Sequence, residues 1–279
     1  MEDTLRNGAS PGPAVRQRML VWTAALLTAA ALAIFCQIGI AAADARLATN
    51  INRAGAQRML SQRIVLAYCK IGLGIMPVES RRELNDSLEL FDRQLIDLKT
   101  YAPTPDIREA LELVERIWEP FKIMAKKPVT RDGARQLWNQ DEDLLHASQK
   151  VVRLLQDFSG RQYARLVNIS GRQRMLSQRL AKLYMLREWG FDSITLQDDM
   201  ETARIEFVGA LRTLQEAQEN SDEIRRMLEE VALQWTWFDS ALNLVNEDPF
   251  PLIVTDSSQL ILQGMDRVTS MYEGLSAAQ

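Results

Sequence analysis

Residues Asn52–Tyr68 read NRAGAQRMLSQRIVLAY, and residues Asn168–Tyr184 read NISGRQRMLSQRLAKLY. The two stretches align at a constant offset of 116 with 10 identities in 17 positions, seven of them the unbroken run QRMLSQR at Gln57–Arg63 and Gln173–Arg179. Chance does not supply such a run. Working outward at the same offset, Gly74 meets Gly190, Phe91 meets Phe207, Leu95 meets Leu211 and Leu98 meets Leu214. With a one-residue slip, Trp118 and Phe121 fall on Trp235 and Phe238. The chain therefore reads as two copies of one unit, residues 44–160 and 161–279. Most of each copy has drifted to whatever keeps a core pattern, whereas one short segment keeps its individual polar residues.

The unit is helical. Of the 279 residues 47% are hydrophobic, 25% charged and only 7% aromatic, and Leu, Ala, Gln, Glu and Arg abound, which favours helix over strand. Leu84, Leu88, Phe91, Leu95 and Leu98 recur at helical spacing. The punctuation is that of short helix connections. Gly72-Leu-Gly74 and Pro77 precede Ser80-Arg-Arg-Glu83, which reads as a capping box opening a second helix. Thr104 before Pro105 reads as an N-cap, and Pro128 and Thr130 mark a further break. The second copy breaks near Gly190–Ser193, Asn220–Asp222 and Asn246–Pro251. The expected fold is all-α: an N-terminal transmembrane helix followed by two tandem up-down four-helix-bundle repeats. Length arithmetic places a break near Ser159-Gly160, after which the second motif helix rises parallel to the first. The competing layout is one long helix over 131–189 with the bundles stacked end to end.

Residues 20–43 form 24 consecutive uncharged positions, long enough at 1.5 Å per residue to cross a hydrocarbon core of about 30 Å. Residues 1–18 are expected to be a cytoplasmic tail and 19–43 a membrane anchor, although the closing AAADA also resembles a signal-peptidase site. Arg16 and Arg18 at the leading edge put the N-terminus in the cytoplasm. No second apolar run of comparable length follows, so the bulk of the chain is expected in the periplasm, held by a single pass in a bacterial inner membrane. Any signal then leaves through a partner.

Composition also excludes chemistries. A net charge of −4 gives no electrostatic case for nucleic acid. One His and two Cys leave no metal cluster, no cofactor and no His-based catalytic set to name, so an enzyme is not expected. Cys36 in the apolar run and Cys69 outside it do not suggest a disulfide.

On a helix, Asn52, Gly55, Arg58, Met59, Gln62 and Arg63 share one face, as do Asn168, Gly171, Arg174, Gln178 and Arg179 in the second copy. A glycine in mid-helix costs about 1 kcal/mol relative to alanine, which close approach of another backbone or of a ligand would offset. Guanidinium groups offer paired planar donors that match carboxylate, nitrate or nitrite, and amides add further donors. Two motif helices side by side would place Arg58 and Arg174 at one site, repelling when empty and bound together when an anion fills it. The bland alternative is a network of interhelical ion pairs drawing on Asp141, Glu142 or Asp143, with Met59 and Met175 as core. His146 is assigned no role.

INRAGAQRMLSQR and VNISGRQRMLSQR resemble the signature of the N-terminal domain of type IV pilus methyl-accepting chemotaxis transducers. More distantly they resemble the periplasmic box of nitrate/nitrite sensor histidine kinases. The resemblance covers both copies and implies a periplasmic sensory four-helix bundle whose nitrate site lies where two motif helices meet. Carried over by position, it implicates Gly55 and Arg58, and Gly171 and Arg174. Asn52, Gln62, Arg63, Asn168, Gln178 and Arg179 complete the candidate set. One departure is that Ala56 stands where the second copy has Arg172. The expected function is a membrane-anchored sensory module for a small oxyanion, nitrate or nitrite, that signals through a histidine kinase or chemoreceptor. A homodimer of the chain is a further expectation. The alternative is a scaffold without ligand that docks on a chemoreceptor or pilus signalling complex.

Overall fold

The computed structural model describes residues 13–243 and 250–275, with side chains from residue 42 onward. Its eight helices are α1 (Pro13–Gly72), α2 (Pro77–Tyr101), α3 (Pro105–Ala125), α4 (Arg131–Ser159), α5 (Gln162–Glu188), α6 (Ile194–Gln215), α7 (Asp222–Asn243) and α8 (Pro251–Gly274), and no strand occurs among the described residues. The apolar run over 20–43 lies almost entirely outside the residues whose side chains are described. Among the described residues, no helix is long and apolar enough to cross a membrane.

Helices α1–α4 pack as one up-down bundle and α5–α8 as a second, and the two lie side by side through an extensive α1–α5 seam. The break expected at Ser159-Gly160 is present. Gly160 ends α4 in the left-handed conformation (φ 60°) and donates its N–H to the carbonyl of Gln156, a terminus a Cβ would strain. Arg161 then pairs with Asp44 at 3.3 Å, and the Tyr163 hydroxyl donates to the Asp44 carbonyl at 3.2 Å. At the far end Trp189 covers Gly72 so closely that a Cβ there would lie 2.1 Å from its ring. Residues 44 and 72 of α1 thus lie beside residues 163 and 189 of the α5 segment, which makes the motif helices parallel and in register.

The recurring aromatics build the same core twice. Phe91 stacks on Trp118 at 3.9 Å between ring centroids, and Phe207 stacks on Trp235 at 4.1 Å. Phe121 and Phe238 each lie 6.0 Å from their tryptophan. The motif glutamines reach toward these stacks: Gln173 donates to the Phe207 carbonyl at 2.8 Å, and Gln57 approaches the Phe91 carbonyl at 3.5 Å. Met59 and Met175 are buried in the core.

The cap at Thr104 forms as expected, its side-chain oxygen accepting from the N–H of Ile107, and at the break marked by Pro128 and Thr130 the Thr130 side chain caps α4 by accepting from the N–H of Gly133. The capping box at Ser80 does not. Helix α2 starts three residues earlier at Pro77, whose fixed φ suits a first helical position, after Met76 in the left-handed region at φ 44°. Ser80 donates instead to the Ile75 carbonyl at 2.9 Å, and Glu83 is drawn away by Lys70 at 2.5 Å and Arg63 at 2.9 Å.

Candidate functional site

Gly55 and Gly171 face each other at the middle of the α1–α5 seam. A Cβ built on Gly171 would lie 4.0 Å from the Gly55 Cα, 3.2 Å from Nη2 of Arg174 and 3.3 Å from Nη2 of Arg58. A Cβ on Gly55 would meet the same two nitrogens at 3.2 Å (Arg58) and 3.6 Å (Arg174). The glycines let the backbones approach, and the approach lets an arginine from each helix turn its guanidinium over the same point. Both arginines are removed from solvent: Arg58 is 0% exposed and Arg174 4%.

The asparagines of the repeat complete a crossed arrangement. Arg58 donates to the side chain of Asn168 at 2.9 Å and to its carbonyl at 3.2 Å, while Arg174 donates to the side chain of Asn52 at 2.7 Å. Each arginine therefore bonds the asparagine of the other repeat. The fourth helix of each bundle closes the site. From α4, Gln149 accepts from Nη1 of Arg58 and Gln156 accepts from Asn168 at 2.6 Å. From α8, Asp266 accepts from Nη1 of Arg174 at 2.6 Å, and Glu273 accepts from Asn52 at 2.7 Å and from Thr49.

Six of the ten candidate residues, Asn52, Gly55, Arg58, Asn168, Gly171 and Arg174, thus meet at one place. The other four make their contacts elsewhere. Arg63 is held by Glu83, Arg179 by Glu142 at 3.1 Å and Asp199 at 3.3 Å, Gln178 donates to the Ser258 carbonyl at 3.3 Å, and Gln62 donates to Ser61 at 3.1 Å. Of the acids named for an ion-pair network, Glu142 pairs as that alternative expects, with the candidate arginine Arg179, whereas Asp141 lies 2.7 Å from Lys182. Gln149, Gln156, Asp266 and Glu273 escaped the sequence reading. They lie in α4 and α8, where little identity between the copies survives, yet the slip of 117 that aligns Trp118 with Trp235 also aligns Gln149 with Asp266 and Gln156 with Glu273.

Electrostatics single out Arg58. Among the described residues its hydrogen-bond acceptors are amides and a backbone carbonyl, with no carboxylate. Burial, then the charges of Arg174 and Arg172, lower its pKa from the usual guanidinium range to about 9. The group remains a cation at neutral pH, buried beside a second cation and, among the described residues, with no carboxylate bonded to it. Such a charge costs several kcal/mol, and an anion placed between the guanidiniums would offset it. Among the described residues, the Nε atoms of both arginines are buried without a hydrogen-bond partner. Beside Gln149 a groove of about 330 Å³ runs between α4, α5 and α6, lined by Arg172 and Arg179 among others.

A family model described as "Type IV pili methyl-accepting chemotaxis transducer N-term" (PilJ) matches residues 40–144 and 158–257, one match per copy of the repeat. No curated protein and no solved structure matches the chain.

Proposed function

Because the chain belongs to the family of type IV pilus methyl-accepting chemotaxis transducer N-terminal domains, in tandem, we propose that it is a sensory module that binds a small planar oxyanion, nitrate or nitrite, between Arg58 and Arg174. The observation that carries the reading is the convergence of two buried guanidiniums over a glycine pair, with no carboxylate on Arg58 among the described residues. Like charges this close repel by a few kcal/mol at the effective dielectric of a protein interior. An anion that bridges them converts that repulsion into attraction across the α1–α5 seam. Because each arginine is bonded to the asparagine of the other repeat, the tightening acts on both bundles at once. The tandem arrangement supplies within one chain the two arginines that a single copy would have to find in a second molecule.

In this proposal residues 20–43 tether the module to a bacterial inner membrane, the bundles lie in the periplasm, and the change at the seam passes to a signalling partner. Titration calorimetry of the full chain in detergent, with nitrate and with nitrite, tests the ligand. Saturable heat that is lost in Arg58→Ala supports the proposal. No heat with either anion at millimolar concentration overturns it, and the module then reads as a scaffold whose seam only fixes helix pairing.

A further inference from the structure

The internal repeat supplies its own control for every side chain around the site. Gln149 and Asp266 occupy equivalent positions on α4 and α8, and each accepts from Nη1 of the motif arginine of its own bundle. Gln156 and Glu273 are likewise equivalent, and each accepts from the neighbouring bundle's asparagine, the one that bonds the motif arginine of its own bundle. The acceptors on α4 and α8 take the same donors, an arginine Nη1 and an asparagine amide, and their charge differs. The acceptors on α4 are amides and those on α8 are carboxylates. The first bundle shows that an amide suffices to hold the arginine in place, so the fold does not require the charge of Asp266.

We infer that Asp266 is a specificity-determining residue of this site, a built-in counter-anion that satisfies Arg174 and leaves the site one uncompensated cation, Arg58. The inference rests on the oxyanion reading above and adds the ligand's charge class: a monoanion such as nitrate or nitrite, and not a dianion such as sulfate. Arg58, Arg174 and Asp266 together carry a single net positive charge, with Glu273, one hydrogen bond further out on Asn52, outside that sum. A monoanion neutralises it. A dianion would leave a net negative charge in a buried setting, facing Asp266 directly and Glu273 one hydrogen bond further out. Asp266 is itself 51% exposed while its partner Arg174 is buried, so the carboxylate stands at the edge of the site, between the inner cation and solvent. A competing dianion meets it there.

The test replaces each residue by its counterpart. Asp266→Gln gives both arginines an amide, and Gln149→Asp gives both a carboxylate. The full chain and each variant are titrated with sodium nitrate and with sodium sulfate at constant ionic strength, and their thermal midpoints are measured without added anion. The wild-type chain is expected to bind nitrate and not sulfate. Asp266→Gln is expected to gain sulfate binding, raising the sulfate-to-nitrate affinity ratio by at least about tenfold, as a removed facing charge would. Gln149→Asp is expected to lose nitrate binding while its ligand-free midpoint rises, because the carboxylate now satisfies Arg58 permanently. That gain cannot be mistaken for a folding defect. Nitrate binding with an unchanged sulfate-to-nitrate ratio in Asp266→Gln overturns this inference and leaves the oxyanion reading standing. Failure of the wild-type chain and of Asp266→Gln to bind either anion overturns both.

Discussion

Gly171 stands so close to Gly55 that a single methyl group on it would sit 4.0 Å from the Gly55 Cα and within 3.3 Å of the Nη2 atoms of both Arg58 and Arg174. Two opposing terms decide what Gly171→Ala does. Alanine in mid-helix gains about 1 kcal/mol of intrinsic propensity. Crowding two buried, hydrogen-bonded guanidiniums costs about 1–3 kcal/mol. The expected result is a net destabilisation of no more than about 2 kcal/mol by urea denaturation, with the nitrate-dependent rise in stability lost. A Gly171→Ala chain that responds to nitrate as the wild type does would remove the glycine pair from the site.

Tyr68 and Tyr184, the last identity of the repeated segment, serve the connections into the fourth helices rather than the site. The Tyr68 hydroxyl donates to the Pro128 carbonyl at 3.2 Å and accepts from the Thr130 N–H at 3.1 Å, just ahead of α4. The Tyr184 hydroxyl accepts from the Phe250 N–H at 3.0 Å, at the entry to α8. Tyr68→Phe removes the hydroxyl and leaves two backbone groups without their partner, and is expected to cost roughly 1–3 kcal/mol, more than Tyr184→Phe, which leaves one. Denaturant midpoints of the two variants check the order. Equal midpoints, or a larger loss in Tyr184→Phe, would contradict it.

That division of labour explains how much of the molecule was legible. Helix identity and the number of helices follow from periodicity and from Pro, Gly and Thr punctuation, because those signals act within a few residues. The core stacks follow from aromatics recurring at matching positions. Ser80 misled because a capping box depends on Glu83 being free to fold back, and Lys70 and Arg63, both on α1, claim that carboxylate. At the site, α1 and α5 were readable since both carry the repeated segment. Their partners on α4 and α8 were not, because Gln149 and Asp266 accept from the same arginine nitrogen while differing in name, charge and length, and a comparison by identity passes over them.

Lys182 and Asp141 form a cross-bundle pair at 2.7 Å with both side chains fully buried. Burial raises the Asp141 carboxyl above its ordinary range, against the pull of Lys182. The equivalent positions in the other half are Leu66 and Ser258, so the fold tolerates this spot without charges. Lys182→Leu alone leaves a buried carboxylate unmatched and is expected to cost about 3–5 kcal/mol at neutral pH. Since a carboxyl whose folded pKa is raised favours the folded state at low pH, that cost should shrink as pH falls and Asp141 takes a proton. The double variant Lys182→Leu with Asp141→Ser should recover most of the loss. A double-mutant cycle by chemical denaturation reads the coupling, and strictly additive losses would show that the pair contributes nothing as a pair.

The charge of Arg58 makes anion binding depend on pH in a defined direction. Its pKa falls from the usual guanidinium range in an exposed chain to about 9 in the folded one, through burial first and the neighbouring Arg174 and Arg172 second. Between those values the unfolded chain holds the extra proton, so the Arg58 contribution to stability increases as pH rises through that window. Below about pH 9 the folded protein carries the full cost of the charge. An anion binds the charged form and holds the proton on. Nitrate affinity is therefore expected to be flat between about pH 6 and 8 and to weaken by up to about tenfold per pH unit above the Arg58 pKa. Near pH 9 each binding event should draw a fraction of a proton from the buffer. Calorimetric titrations at that pH, in buffers that differ in ionisation enthalpy, should then give heats that differ in proportion. Buffer-independent heats, with affinity unchanged at higher pH, would mean that the anion is held by a group other than Arg58.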